Sequence, residues 1–301
     1  MSDMWSLMEQ AREVLVAWKG PNYAFGAGAL TKVGPLAARF GKTALVVVAD
    51  LGQSWVEPIR SAVEQSLREQ GIACETILGA SPNAPCEDAY RIALQLHRSG
   101  ADMVVAVGGG STIDATKAAA ILATYSPSDV RQALGASEAD AGTLAPYFGV
   151  GTVGKLKELT GRAVLPIVAV QTAASSASHL TRGSITTDLL AGQKKLISDE
   201  ATRPAAAVFD YSVMVGAPIG LTVDGGLDGI AHVWEVATGA TGSAQFPRLL
   251  ELAEIAMRLL VAGLRGAYRD PRDLEARTAL GLGTDVAAYA IAQSPGGTHE
   301  P

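Results

Sequence analysis

Short β-branched runs alternate with helix-period stretches from residue 20 to about residue 210, and this rhythm confines the chain to an α/β architecture. Residues 43–49 read as a buried strand, 56–70 as a helix and 73–78 as a second strand. A helix over 86–99, a strand over 103–107 and a helix over 112–123 follow. This is the βαβ pattern of a parallel sheet covered on both faces. Residues 126–161, rich in Ser, Gly, Ala and Pro, read as loops and short helices, and 164–171 as a further buried strand. Beyond Met214 strand signals vanish, and the patterns at 246–264 and 270–282 predict long helices. The expected division is an α/β domain of Rossmann-like type over residues 1–215 followed by an all-helical domain over 216–301.

Composition narrows the class. With 301 residues, 48% of them hydrophobic and 18% charged, the chain can bury a sizeable core and is not of the disordered kind. A net charge of −6 without clustered Lys or Arg argues against a nucleic-acid partner. Cys74 and Cys86 are too few for a disulfide framework and form no CxxC pair. Asp3, Glu9 and Glu13 interrupt the apolar positions of the first twenty residues, unlike a secretory leader. The apolar runs at 44–49 and 103–107 are strand-sized, far below the ~20 residues a membrane span needs. A cytoplasmic protein without membrane contact is the expectation.

The strand at 103–107 runs directly into Gly108-Gly109-Gly110-Ser111, and a helix opens at once with Asp114 and Lys117 in its first turns. Three residues without a Cβ allow close approach to backbone N–H groups, which at a helix N-terminus favour an anion such as a pyrophosphate. A plain glycine-rich turn is the alternative, but the C-terminal end of a buried strand is where open α/β sheets bind ligands. The turn is neither GxGxxG nor the P-loop GxxxxGK[ST]. Further on, Asp228 and His232 stand four residues apart, so a helix places carboxylate and imidazole on one face. Such a pair is either half of a divalent-metal site or a solvated ion pair.

The run Gly108-Gly109-Gly110-Ser111-Thr112-Ile113-Asp114-Ala115-Thr116-Lys117 resembles the GGGSxxDxxK signature of the iron-containing (group III) alcohol dehydrogenases, within the dehydroquinate synthase-like superfamily. Residues 166–178 resemble that family's P-x-I-A-x-P-T-T-A-G-T-G-S segment, which lies over the nicotinamide nucleotide; here Gln171 replaces Pro, and Ser175 and Ala177 replace glycines. Lys194, Lys195 and Asp210 resemble the following K…S…P…D stretch, in which a lysine contacts the cofactor. Residues 225–235 resemble G-x-D-A-x-x-H-x-x-E, with Gly229 in place of Ala. In all, residues 20 to 300 look like the first three quarters of such a protein.

The resemblance implies a metal-dependent oxidoreductase moving a hydride between an alcohol/aldehyde pair and NAD. The implied nucleotide-binding domain is residues 1–215, with Asp50, Asn83, Gly108, Gly109, Gly110, Ser111, Asp114, Thr172, Ser175, Ser178 and Lys195 at the cofactor. Asp50, at the end of the first buried strand, would bond the adenosine ribose and repel a 2′-phosphate, favouring NAD over NADP; a turn or cap role is its other reading. Asn83 matches an Asn-Pro loop beside the nucleotide and reads equally as a turn-former. The implied metal-binding domain is residues 216–301, with Fe²⁺ or alternatively Zn²⁺ held by Asp228, His232 and His299. Members of the family are expected to continue for on the order of 80 more residues of helical domain, and a homo-oligomer is expected. His97 reads as a surface residue, His179 as a packing residue and Trp234 as core. Two other readings remain: a glycerol dehydrogenase- or dehydroquinate synthase-like enzyme, and a catalytically impaired nucleotide-binding protein.

Overall fold

A computed structural model describes residues 2–294; His299 lies outside the described residues. In chain order it contains α1 (Ser2–Lys19), β1 (Tyr23–Phe25), α2 (Val33–Ala37), β2 (Thr43–Val48), α3 (Glu57–Glu69), β3 (Ala73–Leu78), α4 (Cys86–Ser99) and β4 (Met103–Gly108). Next come α5 (Gly110–Thr124), α6 (Pro127–Leu134), β5 (Gly149–Val150), α7 (Thr152–Thr160) and β6 (Ile167–Gln171). The chain continues through β7 (Gly183–Asp188), β8 (Gln193–Ser198), β9 (Ala206–Phe209), α8 (Ile219–Gly239), α9 (Phe246–Arg269) and α10 (Leu274–Gln293). The expected fold class is found: an α/β sheet domain of Rossmann-like type with an all-helical C-terminal part.

The main sheet has the order β1-β9-β6-β4-β2-β3, with β2 parallel to both β3 and β4. Residues of β4 and β6 are buried throughout, as a strand covered on both faces demands, whereas β3, at the sheet edge, has no buried residue and is mostly exposed. The helices follow their sequence periods. Along α4, Cys86, Ala89, Ile92, Ala93 and Leu96 form the buried stripe, Glu87 and Asp88 complement its N-terminal dipole, and Gly100 ends it in the left-handed region. A second sheet, β5-β8-β7, contains an antiparallel hairpin pairing Gly183 with Ser198.

Two compact units emerge. The larger comprises Leu30–Val170 and Arg182–Ala207; the smaller comprises Met1–Ala29, Gln171–Thr181 and Val208–Pro301. In the larger, Leu45, Val47, Val104, Ala106, Ile113 and Ile121 belong to one core cluster between sheet and helices. In the smaller, α9 and α10 pack along each other and against α1, and α8 packs on α9. No described helix is long and apolar enough to cross a membrane.

Trp234 departs from its expected core position: the residue is 64% exposed. The buried stripe of α8 runs through Gly225, Gly226, Gly229 and Val233, and Trp234 follows Val233 by one residue. It therefore turns about 100° away from the face that meets α9.

Candidate functional site

The centre of the larger unit's sheet reverses direction of winding: from β2 the chain moves outward to β3, then crosses back to β4 on β2's other side. In an open α/β sheet the crevice beyond the strand ends at such a reversal is the natural ligand position. Three backbone segments meet there. Ala49 N donates to Val107 O at 2.8 Å, and Gly79 N donates to Val48 O at 2.7 Å. Gly108 ends β4 beside them, so close that a Cβ on it would stand 2.8 Å from Ala49 Cβ and 2.9 Å from Thr112 Cβ. Gly79 is equally confined, with Thr112 Oγ1 at 2.8 Å from its notional Cβ.

Gly109 differs from both: a Cβ built on it meets nothing within 4 Å. It occupies the N-cap of α5 in extended conformation with no side-chain cap, so the opening N–H groups of a 15-residue helix face outward without a side-chain acceptor. Ordinary dinucleotide cradles need this combination of tight packing below and open space above a helix N-terminus. The residues present therefore fit a pyrophosphate.

The neighbouring loop is tied to this turn. Asn83, in the left-handed region at φ 67°, donates its backbone N–H to Ser111 Oγ at 3.0 Å. Its carbonyl accepts from Thr187 Oγ1 at 2.6 Å. Ala80 N donates to Thr112 Oγ1 at 3.1 Å. Asp50, at φ 50°, follows the end of β2 and is exposed.

Asp114 and Lys117 serve the hairpin: Asp114 Oδ2 accepts from Ile185 N at 3.2 Å, and its carbonyl accepts from Ser184 Oγ at 2.8 Å. Lys117, fully buried, donates to Gly183 O at 2.5 Å and lies 3.6 Å from Asp114. Burial pushes the Lys117 ammonium down to about 8, against the pull of Asp114. Lys195 lies on β8, 2.7 Å from Asp188 and over the Phe148 ring, and the bond to Asp188 raises its pKa.

The remaining sequence-predicted residues among those described fall in the smaller unit. Thr172 and Ser178 are buried and Ser175 is half-buried, in a segment cross-linked by Gln171, whose Nε2 donates to Ala173 O at 2.6 Å and to Ser176 O at 3.3 Å. The side chain thus closes the turn where the family pattern has proline. On α8, His232 Nε2 lies 3.8 Å from Asp228 Oδ2, with 23% and 47% of the two side chains exposed. Both have the chemistry of divalent-metal ligands, and they share a helix face as their spacing predicts. Among the described residues no set of three His, Cys, Asp or Glu side chains could hold a metal ion.

Sequence reading missed a buried cluster in the smaller unit. Asp285, fully buried on α10, accepts from Tyr23 at 2.5 Å and Tyr211 at 2.9 Å, and lies 3.0 Å from His179 Nε2. A lone aspartate in the apolar run of residues 279–291 was the available signal.

The parallel sheet with its glycine turn and the helical C-terminal part define a class of α/β protein with an added all-helical region. The family described as iron-containing alcohol dehydrogenase matches residues 20–211, and the chain belongs to it. It is 29% identical to the NAD-dependent methanol dehydrogenase of Bacillus methanolicus over 274 residues, 90% of this chain and 64% of that one. It is 30% identical to alcohol dehydrogenase 4 of Saccharomyces cerevisiae over 254 residues, 84% of this chain and 60% of that one. The solved structure of a 1,3-propanediol oxidoreductase superposes with a TM-score of 0.74 at 26% identity, over 90% of this chain and 64% of that chain. The chain thus spans less than two thirds of the length of these relatives.

Proposed function

We propose that this chain binds NAD at the turn Gly108–Ser111 and takes part in reversible hydride transfer between a small alcohol and its aldehyde. The observation that carries the reading is the contrast between Gly108 and Gly109: one glycine is demanded by packing, the other only by what must approach it from outside. Gly109, Gly110 and Ser111 would receive the pyrophosphate on their backbone amides, and Asp50 the adenosine ribose. Asn83 would hold the loop beside the nucleotide, and Asp114 and Lys117 would keep the start of α5 fixed against β7. Thr172, Ser175 and Ser178 are assigned to the nicotinamide end and Lys195 to a cofactor contact. Asp228 and His232, with His299, are assigned to a divalent ion, Fe²⁺ or Zn²⁺. The ion, when bound, would polarise the alcohol oxygen, and NAD⁺ would take up the hydride to give aldehyde, NADH and a proton.

Domain limits at residues 215 and 216, a homo-oligomeric state and a cytoplasmic location belong to the same proposal. Relatives named for methanol and 1,3-propanediol support a short, uncharged alcohol as substrate. Calorimetric titration with NAD, with Fe²⁺ and Zn²⁺, and a panel of short alcohols followed at the NADH absorbance test it. The expected result is stoichiometric NAD binding, metal binding weakened at least about tenfold by His232→Ala, and alcohol-dependent NADH formation. NAD binding with no metal uptake and no turnover would instead identify a nucleotide-binding protein; no NAD binding at all would remove the proposal.

A further inference from the structure

Arg277, near the start of α10, is fully buried, yet none of the described carboxylates forms an ion pair with it. Its Nε donates to Pro271 O at 3.1 Å, its Nη1 donates to Thr222 Oγ1, and its Nη2 has no partner. A guanidinium kept from water without a counter-charge is among the costlier arrangements a protein can hold. Beside it is a small cavity that leaves about 10 Å³ for the centre of a water-sized occupant, lined by Ala173, Ala174, Met214, Ala217, Leu221, Thr222 and Arg277, in which the Met214 carbonyl already accepts from Ala217 N.

The chemistry of the walls discriminates between occupants. Arginine can only donate; the Thr222 hydroxyl accepts from Nη1 and directs its own hydrogen at Pro218 O, 3.5 Å away, so Thr222 holds the guanidinium in place while Nη2 is the donor left for an occupant. The carbonyl of Ala173 already accepts from Gln171 Nε2 and from Ser175 N. The carbonyl of Ala174 is turned to Gly225, where a Cβ would stand 2.3 Å from it. A water held there needs partners to which it can donate as well as accept; an anion needs donors only. Thr222 and Leu221 also belong to the first turns of α8, which opens behind Pro218 with no side-chain cap, so its dipole adds positive potential at the same place.

We propose that Arg277, Thr222 and the opening turn of α8 enclose a binding site for one small monovalent anion of the halide class. The anion neutralises the buried guanidinium and fixes the start of the helix that carries Asp228 and His232. The site is independent of the NAD assignment and does not depend on it.

The test uses the whole chain, first by thermal unfolding in sodium chloride or bromide against sodium gluconate at equal ionic strength, gluconate being too large for the cavity. The expected result is a saturable rise in Tm, about 5 °C at a hundredfold excess over Kd, with crystals in bromide giving an anomalous peak beside Nη2. Thr222→Val, which removes one hydroxyl and keeps shape, should shift the halide midpoint at least about threefold, and Arg277→Met should abolish the rise. Equal Tm in halide and gluconate for the wild-type chain, water at Nη2 in bromide crystals, or a rise with formate but none with halide would each overturn the proposal.

Discussion

Tyr23 donates its phenolic hydrogen to Asp285 Oδ2 at 2.5 Å, although 262 residues separate the two along the chain. Tyr211 donates to the same oxygen, while His179 lies against Oδ1. Burial, and then the charge of Asp285, push both tyrosines well above their ordinary pKa. Tyr23→Phe leaves Asp285 with two of its partners and should cost about 1–2 kcal/mol. Asp285→Ala strands several buried polar groups at once and should cost about 3–5 kcal/mol. Urea unfolding measures both, and an Asp285→Ala loss no larger than that of Tyr23→Phe would deny the cluster its structural role.

Gly108 and Gly109 should respond oppositely to the same added methyl. Gly108→Ala drives a Cβ into Ala49 and Thr112, and is expected to lose about 1–3 kcal/mol of stability. Gly109→Ala meets open space and should unfold within about 0.5 kcal/mol of wild type, yet weaken NAD at least about tenfold. Paired unfolding curves and NAD titrations read the contrast.

Asp50 stands at φ 50°, a conformation in which glycine is unstrained. Asp50→Gly therefore removes the carboxylate without straining the backbone. The expected outcome is a fall of roughly tenfold or more in the preference for NAD over NADP, about 1.4 kcal/mol per tenfold, measured as the ratio of the two dissociation constants. An unchanged ratio would return Asp50 to a turn residue.

Lys117 makes stability depend on pH. Its ammonium titrates at about 8 in the folded chain and at the ordinary 10.5 once unfolded, with Asp114 and Arg203 as the charged groups acting on it. Between those values the unfolded chain holds more protons, so this group's contribution to stability rises with pH, by on the order of 3 kcal/mol across the window. Tyr23 and Tyr211 act in the opposite sense: their folded pKa values are raised, so their contribution is lost as pH climbs above 10. Denaturant melts from pH 7.5 to 10 should show the rise, and Lys117→Met should flatten it.

Local periodicity made the larger unit's helices and central strands readable. The helix at 86–99 has the same limits in sequence and structure, because its buried stripe, acidic first turn and terminal glycine all agree. The β7–β8 hairpin gave no such signal: Gly183–Asp188 is largely polar and only partly buried, so its place depends on bonds from Asp114, Lys117 and Asn83. The glycine turn was visible as a motif, but which glycine serves packing and which serves a ligand depends on Ala49 and Thr112, residues unremarkable in sequence. The Asp285 cluster and the Arg277 cavity were hidden for a related reason. Their partners lie far apart in the chain, and a single buried polar residue leaves no period.

Synthesis on the ribosome imposes an order on these units. Every segment of the larger one has been made once Ala207 is added, whereas α1 precedes that unit in sequence and packs on α9 and α10, which follow it. At roughly 5–20 residues per second, the apolar stripe Leu7, Met8, Ala11 and Leu15 waits seconds for its cover. During that interval the growing polypeptide presents a greasy helix without its cover, and its yield in a cell should track the supply of chaperones that shield such surfaces.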